Sequence, residues 1–376
     1  MNDSSLDRLQ LSLIIEPGDP RLPALLERHE PGKVLAAASG KDSLRVPTGW
    51  RHRAHTAPDA VRVLDAARSH EMRWVTKHDE QWPKQLDDLD HAEPIGGVTG
   101  APLGLWVRGP GHLADLSQYS ASIVGARSCT TYGADISRDI AADLSAHRIT
   151  VISGAAYGID AFAHRGALAT GRPTVAVLAG GVDVAYPRAH AGLLEHIMAD
   201  GCLVSEQAPG ARPLRPRFLA RNRIIAGLAT GTIIVEAAAR SGSLNTLNWA
   251  DQLGRVSLAV PGPVNSASSA GTHAAIRSGQ ALLVGGTEHI REELAGLGAQ
   301  QADEPTAPAT AYDQWSPGLR GVYDALAWDP ATSSTIGRLA QTSPARTSEY
   351  LASLTAAGFA EHTGGKWRLL RRADLR

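Results

Sequence analysis

Cysteine is nearly absent: only Cys129 and Cys202 occur in 376 residues. That excludes a disulfide framework and any cysteine-rich zinc module. No run reaches the ~18 consecutive apolar residues of a membrane-spanning helix. The start, MNDSSLDRLQ, has no basic segment leading into an apolar stretch. A cytoplasmic protein without membrane contact is the expectation. Lysine is scarce too, with 5 Lys against 32 Arg. Arginine is the better fork for phosphate, but few Lys and Phe beside abundant Ala and Gly also fit a GC-rich genome. An excess of one charge is missing: the formal net charge is −1. This excludes a histone-like polybasic binder and leaves open a local basic site, because net charge says nothing about distribution. No G-x-x-x-x-G-K-[ST] run occurs, which excludes a P-loop ATPase.

With 43% apolar and 20% charged residues the chain can bury a sizeable core. Its length suits two or three domains at roughly 100–200 residues each. Residues 1–80 read as a helical domain, with short amphipathic runs at Leu22, Leu25, Leu26 and at Val34, Leu35 around a turn at His29–Gly32. The segment LERHEPGKVLAAA resembles a helix-hairpin-helix module; a plain helical packing domain is the alternative. A body follows over 81–295. Its first part, 81–118, is rich in Pro and Gly and reads as an irregular joining segment. From 119 to 290, strands are predicted at Ala121–Val124, Thr150–Ile152, Thr174–Leu178, Leu203–Ser205, Thr232–Val235, Val256–Val260 and Ala281–Val284, with helical patterns between most of them. Unbroken apolar runs suit strands buried on both faces. The alternation predicts an α/β fold with a doubly wound, mainly parallel, Rossmann-like sheet, whose ligands bind at the carboxyl ends of the strands. Residues 296–312 read as an Ala/Pro linker. Residues 313–376 read as three helices closed by a strand at KWRLL, a winged-helix-like unit, with a generic three-helix cap as the alternative.

The turns after the predicted strands carry the chemistry. In VGARSCTTYG, 124–133, the second and third glycines of a dinucleotide fingerprint are missing, so nicotinamide binding is disfavoured. Gly125 permits close backbone approach, Arg127 stands at the strand end, and Ser128, Thr130 and Thr131 precede a helix N-terminus that could hold an anion or simply be capped. In SGAAYGIDAFAHRGAL, 153–168, Gly154 and Gly158 allow a sharp turn beside Tyr157. Asp160 and His164 share a helix face as an acid–base pair or, the favoured reading, as a structural brace. No third ligand makes a metal site. Gly180 and Gly181 open another turn, and Arg188 follows. The strongest feature is EQAPGARPLRPRFLARNRIIAG, 206–227. Arg212, Arg215, Arg217, Arg221 and Arg223 stand against one acid, Glu206, with Phe218 and Asn222 among them. Arginines interleaved with an aromatic suit a single-strand site, cations for phosphates and a ring for bases. The alternative is a solvated basic face. Ser241, Gly242 and Ser243 precede a further helix N-terminus after Glu236.

Together VGARSCTTYG, SGAAYGIDAFAHRGAL, GGVDVAYP, FLARNRIIAG, VEAAARSGSLNT and VPGPV resemble, in order, the DNA-processing protein A (Smf) family; WPKQL…PLGLWVRG resembles its lead-in. The resemblance covers nearly half the chain. It implies an extended Rossmann-type domain that binds single-stranded DNA, forms a homodimer and loads the RecA recombinase during natural transformation, with no cofactor and no catalytic residues. It carries Arg127 over as a phosphate contact, places Arg215 and Arg217 in a DNA-binding segment before Phe218, and matches Arg221, Asn222 and Arg223 to an RNR element. Tyr157, His273 and Trp82 depart from the usual Arg or Lys, Asn and Tyr. Two other readings compete. One is a Rossmann-type nucleotide hydrolase similar to phosphoribohydrolases, with Glu236 or Asp160 as acid, although the P-G-G-x-G-T-x-x-E run of that family is missing. The other makes the C-terminal unit a duplex reader through Arg338, Arg346, Lys366, Arg368, Arg371 and Arg372.

Overall fold

The computed structural model describes residues 3–295, 315–327 and 329–370. The chain forms two compact units, Met1–Asp303 and Glu304–Arg376. The 296–312 segment, with Arg371 and Arg372, lies outside the described residues.

The first unit is built on a nine-stranded sheet. Its strands are β1 Met72–Val75, β2 Leu105–Arg108, β3 Ser120–Val124, β4 Thr150–Ser153, β5 Thr174–Leu178, β6 Cys202–Ser205, β7 Gly231–Ile234, β8 Val256–Ala259 and β9 Leu282–Leu283, in the order β1-β2-β6-β5-β4-β3-β7-β8-β9. Strands β3 to β9 are parallel; β2 runs antiparallel to β6 and β1 antiparallel to β2. The seven parallel strands lie β6-β5-β4-β3-β7-β8-β9, the Rossmann arrangement extended by one further parallel strand, β6, beyond β5. The chain reverses direction of growth at β3, between β4 and β7. β3, β5, β6 and β7 are buried at every position. That is why their Val and Ile runs do not alternate with polar residues.

Both faces are covered. On one, Val124, Ile152, Val177 and Ile234 pack against Ile224, Ile225 and Leu228 of the helix Arg215–Leu228 and against Trp249 of the helix Ser243–Gln252. On the other, Ile123, Val151 and Ile233 meet Ile140 and Leu144 of the helix Thr131–Ala146 and Ile159 and Ala163 of the helix Ile159–Ala169.

Two expectations change. Met72–Val75, inside the segment read as helical, is a strand. Residues 81–118, read as irregular, hold β2, a 3-10 helix at Lys84–His91 and a helix at Leu113–Gln118. Four-residue strands carry too little periodicity to announce themselves, and the second partner of β2, β6, lies far along the chain. The hairpin also gives the N-terminal helices a sheet face to cover. Leu9, Ala60, Leu64 and Ala67 join Trp74, Trp106, Leu178 and Leu203 in one apolar cluster, so helices from 1–80 share a core with the sheet.

The second unit has helices Pro317–Asp324, Ser333–Leu339 and Pro344–Ala356, followed by a hairpin of β10 Ala360–Thr363 and β11 Lys366–Leu369. Ala331 bridges to Trp367 and adds a third chain to the hairpin. Three helices, a short pairing segment and a hairpin make the winged-helix arrangement. Its own core comprises Val322, Leu326, Ile336, Leu351, Leu354 and Ala360.

Candidate nucleic-acid interface

Loops after β3, β4, β5 and β6 meet at one edge of the sheet. Their glycines make this approach possible. Gly158 has φ 75° and ψ −130°, a conformation open essentially to glycine alone, and a Cβ there would collide with the carbonyl oxygen of Ala126. A Cβ on Gly154 would stand inside the Arg221 guanidinium. Gly125 lets Ile159 and the Glu236 backbone close in, and a Cβ on Gly180 would lie 2.8 Å from Ala211 O. Gly181 N donates to that same Ala211 oxygen at 2.9 Å. These glycines draw loop to loop; they shape the edge through packing.

A shallow pocket opens where the loops meet. Arg127, Tyr157, Tyr186 and Phe218 line it, over a floor that includes Gly154, Leu178 and Gly180. The Arg127 guanidinium carbon lies 5.0 Å from the Phe218 ring centroid, within cation–π range. Phe218 tilts against Tyr186 at 5.6 Å, and Tyr157 meets His190 edge-on at 4.8 Å. Tyr157 and Tyr186 are each nearly half exposed. Rings this exposed need a reason, since apolar faces are ordinarily turned inward. Tyr186 lines this pocket and was not among the residues singled out from the sequence; the aromatic in AYPRAH, close after the double glycine, was the available signal.

The five clustered arginines separate sharply. Arg215, the first residue of its helix, and Arg212 just before it are exposed, as are Arg127, Ser128 and Arg188. Arg188 sits in a 3-10 turn at Arg188–His190 and does not line the pocket. Arg217 donates from Nε and Nη2 to the two carboxylate oxygens of Glu16, at 3.0 and 2.9 Å. Arg221 is buried and donates from Nη1 to Val177 O at 3.0 Å. Burial pulls its pKa down to about 10, against the pull of the nearby Asp160 carboxylate, so it stays charged at neutral pH. Arg223 is wholly buried. It donates from Nη1 and Nη2 to Glu206 at 2.7 Å each, and from Nε to Gly100 O at 2.9 Å. Arg221 and Arg223, which the sequence placed among the DNA-binding residues, are buried, and where they stand their guanidinium groups face the interior. Two residues apart on a helix are turned by about 200°, so Arg221 faces β5 while Arg223 faces Gly100 and Glu206, and because both sides of the helix are covered each must find oxygens where it points. Asn222 donates from Nδ2 to Gly242 O and to Asn245 Oδ1, each at 3.3 Å, which ties this helix to the start of the next. There the Ser241 and Ser243 hydroxyls pair at 2.7 Å, with Gly242 exposed between them.

The acids of the hydrolase reading face inward. Glu236 is buried. It accepts from Thr130 N at 2.9 Å, from Thr130 Oγ1 at 2.7 Å and from Ser268 Oγ at 3.2 Å. A carboxylate thus occupies the N-terminus of Thr131–Ala146, beside the β3–β7 crevice where a Rossmann nucleotide would place its phosphates. Thr130 Oγ1 also caps that helix by accepting from Gly133 N at 3.1 Å. Asp160 accepts from Gly154 N and Ala156 N at 3.2 and 3.3 Å, and burial raises its pKa. His164 bonds to Thr174 Oγ1 at 2.9 Å, not to Asp160, and burial takes its pKa down to about 3. Among the described residues no group of three His, Cys, Asp or Glu could hold a metal ion, and no helix is long and apolar enough to cross a membrane.

A family model described as DNA recombination-mediator protein A matches residues 73–295. The chain belongs to that family. The DNA recombination-mediator match takes in β2 to β9 and most of β1, and so covers every loop of the pocket. A Mycobacterium tuberculosis chain designated a candidate DNA processing protein DprA is 40% identical over 373 residues, covering 96% of this chain and 93% of its own. DNA processing protein DprA of Streptococcus pneumoniae is 38% identical over 220 residues, 58% of this chain and 77% of that one. The solved structure of the Streptococcus pneumoniae protein superposes with a TM-score of 0.62 at 31% identity, covering 78% of this chain and 98% of its own. DNA processing protein A of Helicobacter pylori, solved for its single-stranded DNA binding mode, gives a TM-score of 0.50 at 26% identity, covering 59% and 96%.

Proposed function

We propose that this chain binds single-stranded DNA along the carboxyl edge of its sheet and, in the role the family resemblance implies, hands it to the RecA recombinase during DNA uptake and recombination. One observation carries the reading: Arg127 lies over Phe218, beside Tyr186 and Tyr157, in a pocket flanked by the exposed Arg212 and Arg215. Exposed rings offer stacking faces to bases of any sequence, and guanidinium groups beside them meet the backbone phosphates. The Helicobacter pylori relative, with its single-stranded DNA binding mode, supports the same use of this fold. Arg188, Ser128 and the Ser241–Ser243 turn extend the proposed path along the edge. The pocket requires no cofactor or metal for this work, and binding rather than turnover is the proposed activity. A homodimer in the cytoplasm is part of the same proposal, as is a functional division into the helical region 1–80, the 81–295 body and the 313–376 unit.

The test is anisotropy with a labelled poly-dT oligonucleotide over a salt series. Arg127→Ala and Arg215→Ala should each flatten the slope of log K against log salt by ~0.7, the value for one phosphate of a single strand. Phe218→Ala should cost ~1–3 kcal/mol of affinity. Unchanged slopes in the double arginine variant would remove the site assignment. RecA hand-over is tested separately, by filament growth on coated single strands with and without the chain. Release of free base from a nucleoside monophosphate, lost in Glu236→Gln, would favour the hydrolase instead.

A further inference from the structure

Arg217 belongs by sequence to the proposed DNA segment, yet its fork already holds an anion. The two Glu16 oxygens accept from Nε and Nη2 at 3.0 and 2.9 Å, and Nη1 donates to Arg212 O at 3.0 Å. Glu16 lies 201 residues away in the chain, just past the helix Asp3–Ile14. Its turn is firmly placed. Ile15 before it is buried, Asp19 N donates to Glu16 O at 3.3 Å, and Thr99 N donates to Gly18 O at 3.1 Å. Asp19 in turn accepts from Trp50 Nε1 at 3.0 Å. The carboxylate is therefore presented by a fixed loop and has not wandered there on a free tail. The pair itself is open to solvent on one side, with Glu16 52% and Arg217 17% exposed.

We infer that Glu16 is an internal substitute for a DNA phosphate, and that the N-terminal helical region limits how tightly a strand binds. This rests on the proposed single-strand site. The two-pronged geometry in which a guanidinium meets a carboxylate is the one in which it meets a phosphate, so one anion excludes the other at Arg217. A partly exposed ion pair is weakly held and can be exchanged. Until the exchange occurs, a fixed negative charge stands beside the strand's path and repels it. Glu16 is thus a positioning residue that acts on DNA through Arg217.

The experiment compares Glu16→Gln in the full chain with the same change made in an Arg217→Ala background, using poly-dT over a salt series. Circular dichroism confirms that each variant is folded. Glu16→Gln, which keeps the shape and removes the charge, should tighten binding about threefold to tenfold at low salt and steepen the slope by ~0.7, one newly engaged phosphate. In the Arg217→Ala background that gain should vanish. An equal gain in both backgrounds would overturn the inference, since Glu16 would then act by general repulsion. Weaker binding by Glu16→Gln alone would also overturn it, because Glu16 would then be aiming Arg217 at the strand. Absence of binding by all the chains would instead overturn the underlying single-strand reading, and this inference with it.

Discussion

An arginine on the inward side of a helix must bring its own oxygens with it. Arg223 meets this need completely, with both Glu206 carboxylate oxygens and two backbone carbonyls around its guanidinium. Removing one member of such a pair leaves a buried charge unmatched. Glu206→Ala should therefore cost about 3–5 kcal/mol in urea unfolding, whereas Glu206→Leu with Arg223→Met should lie much closer to the native stability. His164 supports a prediction in pH. Its pKa is about 3 in the folded protein against an ordinary 6.5, because burial disfavours the imidazolium. Below pH 6.5 the unfolded chain takes up a proton that the folded one refuses, so this contribution to stability is present above pH 6.5 and is lost as pH falls towards 3. Asp160, raised by burial, works in the opposite sense. Comparing native protein with His164→Gln cancels Asp160. Between pH 6.5 and 5 the native protein should lose about 1.5 kcal/mol more stability than the variant, measured by unfolding at each pH. The residue scale is also where reading the chain alone was weakest. Arg215 and Arg223 look alike in FLARNRIIAG and its preceding loop, yet one faces water and the other the core. Only the position of the helix against the sheet separates them, and that position is set by Ile224, Ile225 and Leu228 packing on distant strands. Glu16 was beyond sequence reasoning altogether, since nothing local links it to Arg217.

At the scale of elements, the parallel strands were legible because burial on both faces writes an unbroken apolar run into each of them. Thr174–Leu178 is found as expected, and Ser120–Val124 and Gly231–Ile234 differ by a single residue at one end or at each. The glycine turns were legible as well, and they also admit neighbouring protein atoms, Gly154 the Arg221 guanidinium and Gly180 the Ala211 carbonyl. The antiparallel hairpin β1–β2 was not legible. Each of the two is only four residues long, neither runs unbroken through apolar residues, with Arg73 in β1 and Arg108 in β2, and the second partner of β2, β6, is far along the chain. The Thr131–Ala146 helix allows a further prediction. Thr130 both caps it and donates to the buried Glu236 carboxylate. Thr130→Val should cost about 1–2 kcal/mol by thermal unfolding, and it should not touch the aromatic pocket.

At the scale of the whole molecule, a net charge of −1 leaves room for a local basic patch: Arg127, Arg188, Arg212 and Arg215 are exposed, whereas Arg217 is paired with Glu16 and Arg221 and Arg223 are buried. The two compact units have separate cores. Cutting after Asp303 should leave a folded chain that keeps its poly-dT affinity within about threefold and its salt slope unchanged, as expected when the phosphate contacts all lie in the first unit. A large loss of single-strand affinity would assign contacts to the C-terminal unit, and the full and shortened chains assayed on duplex test the duplex reading.

The antiparallel edge also bears on how the chain is made. β2 pairs with β1 as soon as it is made, but its other edge finds a partner only when β6 emerges, roughly a hundred residues later. At ~5–20 residues per second of synthesis, the hairpin and the helices resting on it wait for about 5–20 s with one edge of β2 unpaired and without the Leu178 and Leu203 side chains that complete the cluster around Trp74 and Trp106. The nascent chain is therefore most vulnerable to aggregation in its first third, and holdase chaperones should engage it there until residue 205 clears the ribosome.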